Sequence, residues 1–201
     1  MKVSVILAHP NPGSLNHALA AATVQALEEN GHTVLFHDLY RERFDPILPG
    51  DEIPRDAPLG PILHEYCREI ATAEGIVIVH PDWWGQPPAI LKGWVDRVLR
   101  PGVAYRFVEG DSGEGEPVGL LPAKAAVVFN TSNTPQEREQ EAFGDPLERI
   151  WRDCIFALCG VRVFRRRMFS VVVTSTPGER VAWLGEVRAV VKEAFPRDAS
   201  R

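Results

Sequence analysis

Three short polar segments carry side chains that could do chemistry, and each of them directly follows an apolar run. Residues 9–16 read His-Pro-Asn-Pro-Gly-Ser-Leu-Asn, residues 80–88 read His-Pro-Asp-Trp-Trp-Gly-Gln-Pro-Pro, and residues 130–135 read Asn-Thr-Ser-Asn-Thr-Pro. The first offers hydroxyl and amide groups ahead of a helix, the second two adjacent indoles, and the third a cluster of hydrogen-bond donors. Together they predict a crevice with an anion cradle, an aromatic wall and a polar rim, which suits a phosphorylated planar ligand.

The anion cradle is predicted at the start of a helix that begins near Leu15. A helix N-terminus presents unpaired N–H groups and the positive end of its dipole, and both favour a phosphate. A proline and glycine turn capped by Ser14 would need the same residues without any ligand, so the residues alone leave both interpretations open. The segment matches neither G-x-G-x-x-G nor G-x-x-x-x-G-K-S/T, which disfavours a Rossmann dinucleotide site and a P-loop.

The aromatic wall rests on Trp83 and Trp84. Tryptophan is often buried, but its N–H needs a hydrogen-bond partner, so packing beneath a long loop is the simpler alternative. The position of the pair at a strand end, between prolines, favours contact with a flat ligand. The donors at residues 131–134 would form the polar rim, although such residues also make ordinary turns.

These segments need a framework that brings them together, and the hydrophobic pattern predicts one. Apolar runs predict strands at residues 3–8, 33–39, 76–79, 125–129 and 161–173, and helical periodicity predicts helices at residues 15–30, 62–73, 87–99, 145–160 and 177–195. This alternation predicts a single α/β domain over residues 1–201, with a five-stranded parallel sheet covered by helices on both faces. Such sheets bind ligands at the carboxyl ends of their strands, where the three polar segments lie.

The composition excludes several classes of protein. The formal net charge is −5, which argues against a nucleic-acid partner, and no apolar run reaches the roughly 18–20 residues of a membrane span. The short apolar run at the N-terminus is typical of a strand rather than a signal peptide. Three cysteines, an odd number without a Cys-x-x-Cys motif, indicate reduced core thiols in a cytoplasmic protein. The acidic, glycine-rich residues 102–122 are predicted to form a surface loop with room for a hairpin, and residues 110–115 its flexible part.

The chain resembles the flavodoxin-like NAD(P)H:quinone oxidoreductase family, the DT-diaphorase and modulator-of-drug-activity type of flavoprotein. The matching stretches are Ala8-His9-Pro10 with Ser14-Leu15-Asn16, Asp38-Leu39-Tyr40 with Phe44-Asp45-Pro46-Ile47, Trp84-Gly85-x-Pro-x-Ala89-Ile90-Leu91-Lys92-Gly93-Trp94, and Arg97-Val98 through Ala104-Tyr105. The resemblance implies a flavodoxin-like three-layer sandwich, a bound flavin and a homodimer with sites at the subunit interface. It also implies two-electron, ping-pong transfer of a hydride from NAD(P)H through the flavin to a quinone or a similar flat acceptor.

The resemblance assigns cofactor-binding roles residue by residue. His9, Ser14, Leu15 and Asn16 would hold the flavin phosphate, Pro81, Asp82, Trp83, Trp84 and Gly85 would flank the ring, and Thr131, Ser132, Asn133 and Thr134 would lie at its pyrimidine edge. Glu179 and Arg180 lie in a stretch similar to one that touches the adenine half of FAD in some members, which favours FAD over FMN. The family places a Tyr and a His after the polar turn, whereas this chain has Phe143 at the His position and the Tyr position falls near Glu137. No catalytic acid or base is therefore assigned, and no metal ligand is predicted.

Two other functions fit parts of the sequence. Some relatives of this family are flavin-binding ancillary subunits of membrane transport systems. Some zinc-dependent N-deacetylases carry Ala-His-Pro-Asp-Asp after a first strand, but here Ala8-His9-Pro10 is followed by Asn11 and Pro12, so the carboxylates needed as ligand and base are missing. The arginines at residues 165–167 could meet the extra phosphate of NADPH; the prediction is a solvated strand end.

Overall fold

The computed structural model describes residues 1–108, 115 and 117–197. Within these residues the strands are β1 (Lys2–Leu7), β2 (Thr33–Asp38), β3 (Gly75–Pro81), β4 (Tyr105–Arg106), β5 (Val118–Gly119), β6 (Ala125–Thr131) and β7 (Val163–Phe169). The α-helices are α1 (Leu15–Glu29), α2 (Pro61–Ile70), α3 (Ala89–Val98), α4 (Gln136–Phe143), α5 (Pro146–Arg149) and α6 (Pro177–Ala194). A 3₁₀ turn lies at Gly50–Glu52, and a π-helical segment at Ile150–Ala157 continues α5.

The central sheet has five parallel strands in the order β2-β1-β3-β6-β7. After β1 the chain moves outward to β2 and then crosses back to β3 on the other side of β1, so the strand order reverses between β1 and β3. Open α/β sheets bind ligands at this reversal point. The predicted fold class, a flavodoxin-like parallel sheet between helical layers, is therefore confirmed.

Two apolar clusters cover the two faces of the sheet, which explains the unbroken apolar runs in the sequence. Every residue of β3 and β6 is buried, because both faces of a central parallel strand are covered by helices. On one face, side chains of α1 and α6 such as Leu19 and Val187 pack on Val77 and Phe129. On the other face, α2, α3 and the π-helical segment contribute their own buried side chains, among them Trp94.

Two helical regions differ from the predictions. The helix predicted at residues 145–160 begins as α5 and then widens into the π-helical segment, where the buried Trp151 donates its indole N–H to Nε2 of His80 at 3.0 Å. Helix α4 was not predicted, because Glu139 is its one buried residue and the helix has no apolar stripe to produce a periodic signal.

The loop after α3 and the cysteines were predicted in part. An antiparallel pair, Tyr105–Arg106 with Val118–Gly119, confirms the hairpin, while the flexible loop predicted at residues 110–115 lies outside the described residues apart from Gly115.

All three cysteines are free; Cys67 and Cys159 are buried, but Cys154 is exposed, so its assignment to the core was wrong. No helix among the described residues is long and apolar enough to cross a membrane.

The glycine in the Leu-Lys-Gly-Trp motif has a packing role. A Cβ atom built on Gly93 would lie 2.2 Å from the carbonyl oxygen of Pro46 and 2.4 Å from its Cα, so the loop after β2 can approach α3 only if residue 93 has no side chain. Arg97, one turn further along α3, donates to the carbonyl of Asp45 at 2.6 Å and holds the same loop in place.

We expect Gly93→Ala to lower the free energy of unfolding by about 1–3 kcal/mol, because its methyl group would overlap backbone atoms that cannot move independently. Gly185→Ala on the exposed side of α6 is the matched control. No atom lies within 4 Å of its added Cβ, so alanine should raise the free energy of unfolding by about 0.5–1 kcal/mol. Urea unfolding followed by circular dichroism measures both; equal effects of the two substitutions would contradict the packing role of Gly93.

Candidate functional site

A cavity of about 780 Å³ opens at the carboxyl ends of β1, β3 and β6. Its volume lies within the range of ordinary small-molecule sites. The lining residues are His9, Gly13, Ser14, Leu15, Asn16, Pro81, Asp82, Trp83, Trp84, Gly85, Thr131, Ser132, Asn133, Thr134, Glu139, Phe143, Pro146, Val172 and Arg180. The three polar segments singled out in the sequence thus meet in one place.

Hydrogen bonds between the three loops continue the pairing of the strands. Asp82 donates its backbone N–H to the carbonyl of Thr131 at 2.7 Å, and Ala8 donates to the carbonyl of Val79 at 2.9 Å. The buried Asn16 amide donates from Nδ2 to Oγ1 of Thr131 at 2.8 Å. The first and third loops are therefore fixed to each other, and the cavity walls are extensions of the sheet.

The N-terminus of α1 forms part of the cavity wall. Ser14 is the N-cap of α1 and accepts from the N–H of His17, which leaves the N–H groups of Leu15 and Asn16 at the open end of the helix. His17 lies between Oγ of Ser14, 3.0 Å from Nδ1, and Oδ2 of Asp38, 3.1 Å from Nε2. This chain of contacts fixes the hydroxyl group that caps the helix.

His9 borders the same part of the cavity in its neutral form. Burial lowers its pKa, and the nearby His17 lowers it further, against an opposing backbone contribution of Asn11; Nδ1 itself accepts the N–H of Asn11. Because Nδ1 accepts that N–H at 3.1 Å, the proton of the neutral ring is on Nε2. His9 therefore offers a donor rather than a full charge.

A tight turn that carries the two tryptophans forms another part of the cavity wall, and the ring of Trp83 lies 6.2 Å, centroid to centroid, from that of His9. Trp83 and Gln86 exchange two backbone hydrogen bonds of 3.1 Å, and the two residues between them have positive φ, +61° at Trp84 and +67° at Gly85. This is the geometry of a two-residue hairpin turn, which is unfavourable for a residue as large as tryptophan. Trp84 is 99% exposed at the rim of the cavity, so its indole is available for contact at the cavity mouth.

A buried arginine supports the cavity from below. The Arg166 side chain is 4% exposed and donates to both carboxylate oxygens of Asp145, at 2.8 and 2.7 Å, and to Oδ1 of Asn130 at 2.9 Å. The prediction of a solvated strand end was wrong for Arg166, although Arg165 and Arg167 do pair with surface glutamates. Asp145 is the N-cap residue of α5, but its side chain holds Arg166 instead of capping the helix.

Two carboxyl groups of the lining have perturbed pKa values. Burial raises the pKa of Asp82, with a hydrogen bond from the N–H of Gly85 and the charge of Arg166 acting against it. Burial also raises the pKa of Glu139, and the neighbouring carboxyl groups of Asp82 and Asp145 add to that effect. The cavity therefore has an acidic wall next to its aromatic turn.

The predicted binding residues are thus found together, with one difference. Arg180 lines the cavity and donates to Oγ of Ser175 at 2.9 Å. Glu179 lies outside the lining, and its carboxylate accepts from the backbone N–H and the hydroxyl of Thr176 in a capping box at the start of α6. Among the described residues, no group of three or more His, Cys, Asp or Glu side chains could hold a metal ion.

The lining fits a flavin. Oδ1 of Asn16 is buried without a hydrogen-bond partner. This acceptor needs a donor, which a hydroxyl group of the flavin side chain would supply and its phosphate would not. The free N–H groups of α1 suit a phosphate, and the donors at residues 131–134 suit the carbonyl and imide edge of a flavin ring. The volume and the tryptophan turn leave room for that ring.

Sequence reasoning missed Glu139 and Arg166. Nothing in the sequence distinguishes Glu139 from Glu137 and Glu141, the other glutamates of α4. For Arg166 a signal exists: alternation along β7 places it on the same face as Phe164 and Met168, and these two point to a covered side of the sheet.

Comparison with known proteins agrees with the architecture. Residues 1–182 match the model of a family described as having a flavodoxin-like fold. A Haemophilus influenzae protein named uncharacterized NAD(P)H oxidoreductase is 36% identical over 174 residues, covering 83% of this chain and 82% of that protein. Rat NAD(P)H dehydrogenase (quinone) 1 is 31% identical over 216 residues, covering 94% and 77%. The structure of an NAD(P)H:quinone oxidoreductase from Methanothermobacter marburgensis superposes with a TM-score of 0.80 at 25% identity, covering 96% of each chain.

We expect Arg166→Ala to lower the free energy of unfolding by about 3–5 kcal/mol, because it leaves Asp145 without its buried partner. Arg165→Ala, one residue away on the other face of β7, removes a half-exposed ion pair with Glu193 and should cost less than about 1 kcal/mol. Urea unfolding of both variants tests this, and a small loss for Arg166→Ala would show that the guanidinium does not support the cavity.

Proposed function

The chain belongs to the family of proteins with a flavodoxin-like fold, and on that premise we propose that it is a flavin-dependent NAD(P)H dehydrogenase that reduces quinones or similar flat acceptors. One observation carries the proposal: a single cavity joins the open N-terminus of α1 to a turn that presents two indoles. Relatives named NAD(P)H oxidoreductase and NAD(P)H dehydrogenase (quinone) support it.

The residues of this chain would divide the work of binding along the cavity. His9, Ser14 and the N–H groups of Leu15 and Asn16 would bind the flavin phosphate. Residues 81–85 would flank the ring, and residues 131–134 would donate to its pyrimidine edge. A bound flavin supplies hydride transfer, while the protein supplies orientation and fixed dipoles near the ring.

The same features support a homodimer. Trp84 is 99% and Phe143 54% exposed, and both line the cavity at its rim. Large aromatic side chains left exposed around a binding site are typical of an interface. A second copy of the chain would cover them and complete the pocket for the nicotinamide and the acceptor. The free cysteines are consistent with action in the reducing cytoplasm.

FAD is proposed as the flavin because a cation, Arg180, lines the same cavity. A cation there would face the second phosphate of FAD, which FMN lacks. Glu179 would contribute by capping α6, which positions Arg180.

The central test is flavin content and turnover of the purified protein. We expect a yellow protein, oxidation of NADH or NADPH on addition of menadione, and parallel double-reciprocal plots, as ping-pong transfer requires. Asn16→Ala should weaken flavin binding about tenfold through the loss of a buried hydrogen bond. Asn30→Ala at the other end of α1 is the control. A protein that takes up no flavin would refute the proposal, and one that binds flavin without turnover would instead fit a regulatory subunit.

The identity of the flavin is tested through Arg180. Arg180→Ala should weaken FAD binding by about tenfold, the value of one charge-assisted contact, and leave FMN binding unchanged, when each flavin is titrated into the flavin-free protein. Arg188→Ala, on the same helix and paired with Gln25, should change neither. Equal losses for FAD and FMN would contradict the preference for FAD.

A further inference from the structure

Two carboxyl groups of the cavity wall each have one buried oxygen without a hydrogen-bond partner. Glu139, on α4, is 3% exposed, and its Oε1 is buried without a partner. Oδ1 of Asp82, at the end of β3, is buried and equally unpartnered. The two carboxyl groups lie within hydrogen-bonding reach of each other. Two carboxylates cannot hydrogen-bond, but one proton between them would give the pair the bond that it lacks.

The charges around the pair favour this single proton. Asp145 at the start of α5 disfavours ionisation of both groups. The charge of Asp82 raises the pKa of Glu139, whereas the hydrogen bond with Glu139 lowers the pKa of Asp82, so the shared proton belongs on Glu139. Arg166 on β7 and the N–H of Gly85 favour ionisation of Asp82, and Arg166 also favours ionisation of Glu139. Arg166 is already paired with Asp145 through two bonds, so no full positive charge remains to balance two ionised carboxyl groups.

We propose that Asp82 and Glu139 share one proton at neutral pH and that this pair is the proton donor of the cavity. The inference deepens the proposed function and rests on it for the identity of the molecule that receives the proton. Asp82 and Glu139 thereby fill a role that the sequence alone assigned to no residue.

A quinone acceptor needs one proton in addition to the hydride. NAD(P)H supplies the hydride, two electrons with one proton, which a bound flavin would relay, and a quinone that gains it becomes a hydroquinone monoanion. The O–H bond of the shared carboxyl breaks, its proton moves to the anionic oxygen, and the neutral hydroquinone leaves. The pair, now doubly ionised, takes one proton from water and returns to its starting state.

The histidines near the cavity are less suited to this role. His80 is fully buried and outside the lining; its Nδ1 bonds the carbonyl of Pro81 at 2.8 Å and its Nε2 accepts from Trp151. Burial lowers its pKa to about 4, so it carries no exchangeable proton for the site at neutral pH. His9 lies at the proposed anion site, next to α1.

The first test looks for the shared proton itself. Infrared spectra of the flavin-free protein at neutral pH should show the carbonyl stretch of a protonated carboxyl group, shifted in D₂O. The band should disappear in both Glu139→Gln and Asp82→Asn, and persist in Glu137→Gln and Glu141→Gln, which change exposed residues of the same helix. Absence of the band in the native protein would overturn the proposal.

Thermal stability gives a second readout that needs no cofactor. A raised carboxyl pKa means that the folded state binds more protons than the unfolded state, so stability falls as pH rises above the unfolded pKa. Glu139→Gln removes this effect. The Tm difference, Glu139→Gln minus native, should therefore be more positive at pH 7 than below about pH 4, where the native glutamate is protonated and as neutral as glutamine. Glu137→Gln should show no such trend, and a pH-independent difference for Glu139→Gln would contradict the shared proton.

The third test addresses donation. In stopped-flow experiments with the loaded protein, reduction by NADPH should keep its native rate in Glu139→Gln, while reduction of menadione should slow about 100-fold, the usual contribution of a general acid. An unchanged menadione step would overturn the donor role. A native protein that binds flavin but reduces no quinone would refute the proposed function and the donation step with it, whereas the infrared band would still decide whether the proton is shared.

Discussion

The site depends on the parallel pairing of β1, β3 and β6. Parallel strands end at the same edge of a sheet, so three loops that are far apart in the sequence meet there. The pairing continues past the strands: Asp82 still donates to the carbonyl of Thr131, and Asn16 reaches across from α1 to Oγ1 of the same threonine. Each loop is therefore held by its neighbour, and the cavity wall is fixed by hydrogen bonds within the protein. A preformed site of this kind costs a ligand little ordering entropy.

Charge is the second constraint on the site. The wall formed by Asp82 and Glu139 is acidic, yet the ligand proposed for the cavity is itself an anion at its phosphate end. The anion site proposed at α1 uses backbone dipoles and the neutral His9 instead of a cationic side chain, while the carboxyl pair comes from the end of β3 and from α4. Arg166 beneath them is bound to Asp145 and balances part of the negative charge.

Function also explains two local departures from favourable structure. Trp84 has a positive φ and almost complete exposure, both of which cost stability in a folded monomer. Strain and exposure of this kind concentrate at binding sites, where the surrounding structure compensates for them. Here the reciprocal hydrogen bonds of Trp83 and Gln86 hold the turn, and the proposed second subunit would cover the indole. The turn is therefore a feature of the proposed dimeric site.

The sequence by itself determined the sheet and its polar edge. Buried parallel strands require long apolar runs, and the polar segment that follows each run is visible in the sequence. It also marked Ser14, Asn16 and the two tryptophans, since residue type alone shows a helix cap or an aromatic ring. Only the tertiary structure decided the roles of Glu139, Arg166 and Glu179. Glu139 and Glu137 are the same residue type two positions apart on one helix, yet one is buried in the cavity and the other exposed. A charged side chain takes its chemistry from its surroundings, and distant parts of the chain supply those surroundings only after folding.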